Sequence, residues 1–336
     1  MEIGGYRELD LRTGLEYYTG EHVARLNSGR VGIYHAVKCS GCKRVLLPYY
    51  QCSTVSDFLQ THGIKVVLYH IDKEFRVLLE PGDITHDTAV VIVNYFGMIP
   101  RSLLESYVEQ FPVVIIDNTQ AFYSKPFQKA YCVYSPRKFF GVADGGYVIG
   151  DHAQEGIEKY PLDHSEDTAS FLLRRIESGG NSNYQYYLEN EKRIDESGPR
   201  RMSTLTHKLL DNIDYAYCAQ KRRENFQIAH RLFRGMNLFP ERLIEEAEDD
   251  FVPMVYPLVI EDTSLRGQLK ENSIFVGQWW KYLLYTMDPA GIEYYYAQNV
   301  YPIQIDQRYS EEHLLFTRDV VERHIKNRSL INRESI

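Results

Sequence analysis

Positive charge is in short supply: 38 Lys and Arg stand against 46 Asp and Glu, a formal charge of −8. That balance argues against a nucleic-acid or anionic-membrane surface, since both need clustered cations. Long apolar runs are missing as well. The longest, AVVIVNYFGMI, is too short to span a bilayer and suits a buried strand. The opening MEIGGYRELDLR carries no apolar core, so no secretory leader is expected. Cysteine is sparse, with 5 in 336 residues, at positions 39, 42, 52, 132 and 218. An odd number in a long chain reads as reduced thiols, which predicts a soluble, cytoplasmic protein rather than a disulfide framework. Cys39 and Cys42 form a lone C-x-x-C. A structural zinc site needs two more ligands at matching spacing; none follows, and no metal is expected.

What is present is an ordinary globular composition, 44% hydrophobic and 25% charged, in a chain long enough for two domains. A chain of this size buries a core without disulfides or metal. The unusual number is 27 Tyr, which points to wide half-polar surfaces such as pockets and subunit contacts.

The first half alternates regularly. VGIYHAVKC has helical spacing, RVLLP is a short apolar run, STVSDFLQTHG is helical, and KVVLYHI is apolar and β-branched. TAVVIVNYF reads as a strand, RSLLESYVEQF as an amphipathic helix and PVVIID as a strand. Strands apolar on both faces and separated by helices predict a mostly parallel sheet covered on each side. YCVYS and GGYVIG read as two further strands joined by a polar loop. From Asp163 to Arg234 the pattern is helical and charged, with TASFLLRRIES, NYQYYLENEKRI and a long stretch from Ser203 through KRRENFQIAHRLF; Gly198 and Pro199 mark a boundary. The acidic run EEAEDD reads as a solvated loop or helix end. Beyond it, VPMVYPLVI, TSLRGQLKEN, SIFVGQ, VYPIQI and SEEHLLFTRDVVERH alternate strand and helix as a smaller α+β unit. The division expected is a large domain over 1–215 and a small one over 216–336.

Ligands in a doubly wound sheet sit at the carboxyl ends of the strands, where Asp117 follows PVVII. Lys138 lies in the turn of YSPRKFFGVADGGYVIG, and Ser28, Gly29 and Arg30 open a helix in LNSGRVGIYHA. Alone, each has an ordinary reading: a cap, a solvated turn, a helix start. Together they are what pyridoxal 5′-phosphate requires. An acid holds the pyridine nitrogen protonated, a lysine makes the Schiff base, and a helix N-terminus with a fixed cation takes the phosphate.

Through most of the chain these segments resemble the DegT/StrS-type sugar aminotransferases of the fold-type I pyridoxal-phosphate enzymes. LNSGRVGIYHAVK resembles the family's phosphate-receiving helix. RVLLPYYQCSTVSDFLQTHGIKVVLYHID resembles its block of strand, proline, aromatic turn, helix and strand. VVIIDNTQAF resembles the strand carrying the cofactor Asp with a Gln three residues on, and SPRKFFGVADGGYVIG the Lys loop ending in two glycines. RRMSTLTHKLLDNIDYAYCAQKRRENF resembles the family's Arg-Met segment and the helix after it. The resemblance implies Lys138 as Schiff-base lysine, Asp117 as partner of the ring nitrogen, and Gln120 as donor to the phenolic oxygen. It sets Gly29 and Arg30 against the phosphate, and either Tyr50 or Cys52 against the ring. Val133 stands where the family often has a phosphate-binding Ser, with Ser135 as its substitute, and Pro199 stands where an Asn is usual. Trp279 and Trp280 fall where the family builds part of its substrate pocket, with core or interface packing as the alternative.

The function so implied is transfer of an amino group from glutamate or glutamine to a nucleotide-linked keto sugar, as in polysaccharide biosynthesis, by a homodimer with its active site at the interface. The alternatives are a regulator that keeps the fold, and an enzyme of small amino acids using Arg137, Arg200 or Arg201 to bind a carboxylate. Retention of Lys138 argues against the family's deoxygenating members, which have His there.

Overall fold

The computed structural model describes residues 3, 5–79, 82, 84–247 and 251–334. Its centre is an eight-stranded sheet in the order β1-β8-β7-β6-β5-β2-β3-β4. The strands are β1 (Val23–Leu26), β2 (Arg44–Pro48), β3 (Lys65–Ile71), β4 (Val77–Leu78), β5 (Thr88–Val93), β6 (Val114–Asn118), β7 (Tyr131–Tyr134) and β8 (Gly146–Ile149). Strands β3, β2, β5, β6 and β7 run parallel, while β8 runs antiparallel to both β7 and β1.

Side-chain alternation explains why these runs are apolar throughout. Val45, Leu47, Val91, Ile115 and Val133 point into one buried cluster. Leu46, Val90, Ile92, Val114 and Ile116 point into the other. A strand with a core on each face has room for a polar residue only at its ends. Helices α1 (Gly29–Ser40) and α2 (Ser53–Thr61) cover the first face, and α1 crosses β7 closely because residue 32 is Gly. A Cβ at Gly32 would lie 2.7 Å from Val133 Cγ1. α3 (Arg101–Gln110) packs beside β6 on the other face.

After the sheet come α4 (Ser170–Ser178), α5 (Tyr184–Glu196), α6 (Thr204–Leu210) and α7 (Tyr215–Phe233). The stretch from Ser203 is two helices, because Asp214 caps the second by accepting from Tyr217 N. The remainder comprises α8 (Glu241–Glu245), β9 (Val255–Val259), α9 (Leu265–Glu271), α10 (Leu283–Thr286), α11 (Ile292–Asn299), β10 (Val300–Gln304) and α12 (Glu311–Glu334). β9 and β10 pair antiparallel, with α7 against β9 and α12 against α7 and α9. SIFVGQ forms a loop rather than a regular element, and Glu245 ends α8. Residues 248–250 of the acidic run lie outside the described residues. Among the described residues no helix is long and apolar enough to cross a membrane, and no cluster of side chains suits a metal.

Candidate active site

Three chain reversals meet at the carboxyl ends of the parallel strands. Asp117 is the penultimate residue of β6, and its pairing partner on β7 is Val133. β7 ends at Tyr134, and a single 3-10 turn over Pro136–Lys138 follows, with proline at its start. β1 feeds α1 through Ser28, whose extended backbone and side chain cap the helix by accepting from Val31 N. The register of the sheet therefore sets Asp117, Lys138 and the N-terminus of α1 side by side.

Glycine makes that closeness possible at two points. A Cβ on Gly29 would sit 2.8 Å from Thr119 Cγ2, and one on Gly146 would sit 2.4 Å from Ser28 O. The first leaves the opening turn of α1 bare beside Thr119 and Ser135, where unpaired N–H groups can receive an anion. The buried Ser135 lies in the same corner.

Asp117 is buried and held from two sides. Its Oδ1 accepts from Thr119 N at 2.9 Å, and its Oδ2 from Gln51 Nε2 at 2.9 Å. Gln120 is also buried, and its Oε1 accepts from Phe96 N at 2.9 Å. That bond fixes the amide's orientation and leaves its NH2 end as the donor. Lys138 donates from Nζ to Thr119 Oγ1 at 3.1 Å. Its side chain reaches solvent at this sheet edge, with Asp117, Cys52, Arg137 and Glu191 within electrostatic reach. Burial lowers its pKa, an effect that Asp117 opposes and the neighbouring Arg137 reinforces. A larger neutral fraction makes the amine a better nucleophile.

The turn after β2 separates the two residues considered for the ring face. Tyr50 is fully buried, edge-on to Trp280 at 4.3 Å between ring centroids, and its hydroxyl has no hydrogen-bond partner among the described residues. Cys52 is exposed and lies within electrostatic reach of Lys138. Of the two, Cys52 is the residue that meets solvent. Trp279 stacks on Phe96 with centroids 5.7 Å apart, so both tryptophans pack on aromatic residues of the strand ends. Arg30 is turned elsewhere: Nη1 pairs with Asp195 at 2.7 Å, Nη2 donates to Ile194 O, and the guanidinium lies 5.4 Å from the Phe58 ring centroid. Of the possible carboxylate anchors, Arg137 pairs with Glu191 of α5, Arg201 donates to Tyr160 O, and Arg200 lies 3.9 Å from Asp163.

Four residues that sequence reasoning passed over take part. Thr119 and Gln51 bond Lys138 and Asp117 directly. Asp144, fully buried, accepts from Ser203 N, Ser203 Oγ and Thr206 Oγ1, which ties the Lys loop to α6. Arg222 of α7 donates to the carbonyls of Phe139, Pro253 and Met254 and stacks on Phe139, the residue after Lys138. Thr119 and Gln51 had one signal, adjacency to Gln120 and to Tyr50 and Cys52.

Neither a protein-family model nor a curated protein matches the sequence. Solved structures do. The sugar aminotransferase CalS13 from Micromonospora echinospora superposes with a TM-score of 0.58 at 15% identity, over 89% of this chain and 86% of that one. PseC of Helicobacter pylori, an aminotransferase in pseudoaminic acid biosynthesis, gives 0.58 at 13% identity, over 91% and 87%. The GDP-4-keto-6-deoxymannose-3-dehydratase ColD, solved with GDP-perosamine bound, gives 0.60 at 14%, over 89% and 87%. The chain has the sugar-aminotransferase fold. In this fold-type I architecture the edge carrying Asp117 and Lys138 is the carboxyl edge of the central sheet, the edge at which open α/β sheets bind their ligands.

Proposed function

We propose that this chain is a pyridoxal-phosphate-dependent aminotransferase that moves an amino group from glutamate or glutamine to a nucleotide-linked keto sugar. The observation that carries the reading is the convergence of Asp117, Gln120, Lys138 and the bare first turn of α1 on one sheet edge. The donor set fits the cofactor: a buried carboxylate, an amide with its NH2 end unspent, an amine of lowered pKa, and a glycine cradle with a buried serine beside it. When bound, the cofactor supplies an aldehyde and an electron-withdrawing ring.

Each residue then has a task. Asp117 would hold the ring nitrogen protonated, and Gln120 would donate to the phenolic oxygen. Backbone N–H groups at Gly29 and Arg30, with the Ser135 hydroxyl, would take the phosphate. Lys138 would bind the aldehyde carbon. Displaced by the donor amine, its Nζ would then accept the proton from the donor's α-carbon and return it on the same face. The sugar acceptor is supported by the sequence resemblance and by the names of the structural neighbours. Five free cysteines fit a cytoplasmic location. We place the boundary between a large and a small domain at the start of α7, and we assign a homodimer. Leu173 and Ile176 of α4 are 63% and 80% exposed, and the neighbouring α5 pairs with Arg137 beside Lys138, so a second copy seated there would wall the site.

The test is chemical. Borohydride should fix pyridoxal phosphate on Lys138, as peptide mapping reads it, and glutamate or glutamine should convert the cofactor to its amine form. An adduct on another lysine, or none, refutes the cofactor assignment. A cofactor that no amino donor converts refutes the transaminase.

A further inference from the structure

The Asp117 carboxylate is reached from a part of the chain far from β6. Gln51, in the turn between β2 and α2, donates from Nε2 to Asp117 Oδ2 at 2.9 Å, and both residues are buried. The amide can present only its NH2 end to a carboxylate, because the oxygen would repel it. Gln51 Oε1 is buried without a partner among the described residues, so the side chain keeps this orientation at the cost of one unpaired acceptor. The turn is clamped in its own right. The Tyr282 hydroxyl, just before α10, lies 2.9 Å from Tyr49 O and 3.0 Å from Gln51 O. Trp280, two residues earlier, meets the Tyr50 ring edge-on.

We propose that Gln51 is a positioning residue for Asp117, held in turn by Tyr282, so that the 279–282 segment sets the carboxylate opposite the cofactor's ring nitrogen. The inference rests on the reading of Asp117 as the partner of that nitrogen. A carboxylate free to rotate in a buried pocket would lose directionality toward the ring. Two donors, Thr119 N on one oxygen and Gln51 Nε2 on the other, fix its plane. The device requires that Gln51 matter only while residue 117 carries a charge.

The experiment is a double-mutant cycle read by the dissociation constant for pyridoxal phosphate, titrated by absorbance into the full chain. Gln51→Leu should weaken binding about ten-fold, the size of a lost hydrogen bond to a charged group. In the Asp117→Asn background the same change should cost less than about two-fold, because the charge that the Gln51 amide steadies is already gone. Tyr282→Phe keeps the ring and the turn's side chains; it should weaken binding about three-fold in the parent, a net hydrogen bond's smaller share. Added to Asp117→Asn, it should change nothing further. Equal losses in both backgrounds would make Gln51 a structural residue and overturn the proposal. A parent-like constant for both Gln51→Leu and Tyr282→Phe would overturn it too. A parent protein that binds no pyridoxal phosphate at all overturns the cofactor reading, and this inference falls with it.

Discussion

At the ring end of the candidate site, Asp117, Gln120 and Lys138 each keep bonding capacity beyond what they give the protein, whereas at the phosphate end the side chains of Ser28 and Arg30 are spent on the fold and Ser135 alone is not. Gln120 commits its oxygen to Phe96 N, and Lys138 shares only Thr119 Oγ1. By contrast Ser28 caps its own helix, and Arg30 is bound to Asp195 and Ile194. The difference follows from what each end must do. A ring whose charge changes during reaction needs titratable side chains. A phosphate of constant charge is served by backbone N–H groups, which a helix start supplies whatever its sequence. Side chains at the ring end are therefore constrained by chemistry, and those at the phosphate end are free to take structural work.

The largest effect should fall on Lys138. Lys138→Ala should lower transamination by at least about 10³-fold, since it removes both the nucleophile and the acid–base group. Cofactor should still bind, without covalent fixation by borohydride. Turnover within ten-fold of the parent would break the ring-end half of the comparison. Asp117→Asn comes next. An amide cannot keep the ring nitrogen charged, and the loss expected is about 10²-fold in turnover, as for removal of one preorganised charge partner. The covalent adduct should survive. Unchanged turnover would remove Asp117 from its role.

Ser135→Ala probes the phosphate end at its one unspent side chain. Ser135 is buried, beside the position a Cβ on Gly29 would fill. Loss of a hydroxyl that bonds a dianion should weaken pyridoxal phosphate binding about ten-fold, with turnover at saturation little changed. Pyridoxal without its phosphate is the control and should bind the variant and the parent alike. An equal loss for both ligands would mean that Ser135 acts on the ring, not on the phosphate.

The ring end was the more legible half of the sequence for the same reason. Asp117 and Lys138 stand out because each sits shortly after an apolar run that reads as a strand buried on both faces, as the alternation of Val114, Ile115 and Ile116 between two cores bears out. Their proximity then follows from parallel register. What stayed hidden depends on contacts between distant segments. Gln51 is one amide in a tyrosine-rich turn until β2 is laid beside β5, one strand away from β6. Arg222 looks like one charge in the solvated face of KRRENF, yet it is 2% exposed and donates to three carbonyls, an arrangement no local pattern encodes. SIFVGQ has the composition of a strand but no partner strand beside it, and it forms a loop. β1, only four residues long, pairs with β8 from the opposite end of the sheet's sequence.

Arg30 gives the sharpest test of the comparison with the smallest effect on the cofactor. Its position, one residue into the helix that would receive the phosphate, suits a direct cationic contact, and the resemblance assigns it one. In the structure, the guanidinium instead bonds α5, where Asp195 is 56% exposed and Ile194 O is buried. Arg30→Ala should therefore cost folding stability, about 1–3 kcal/mol from the lost bonds to Asp195 and Ile194 O and the packing on Phe58 removed, seen as a lowered Tm. Pyridoxal phosphate affinity should change by less than about two-fold, because the N–H group at position 30 belongs to the backbone and survives the substitution. Arg30→Lys should restore little of the stability, since a single ammonium cannot reproduce the fork that reaches both Asp195 and Ile194. A ten-fold loss of affinity in Arg30→Ala, absent for pyridoxal without phosphate, would return Arg30 to the phosphate and make the two ends of the site alike.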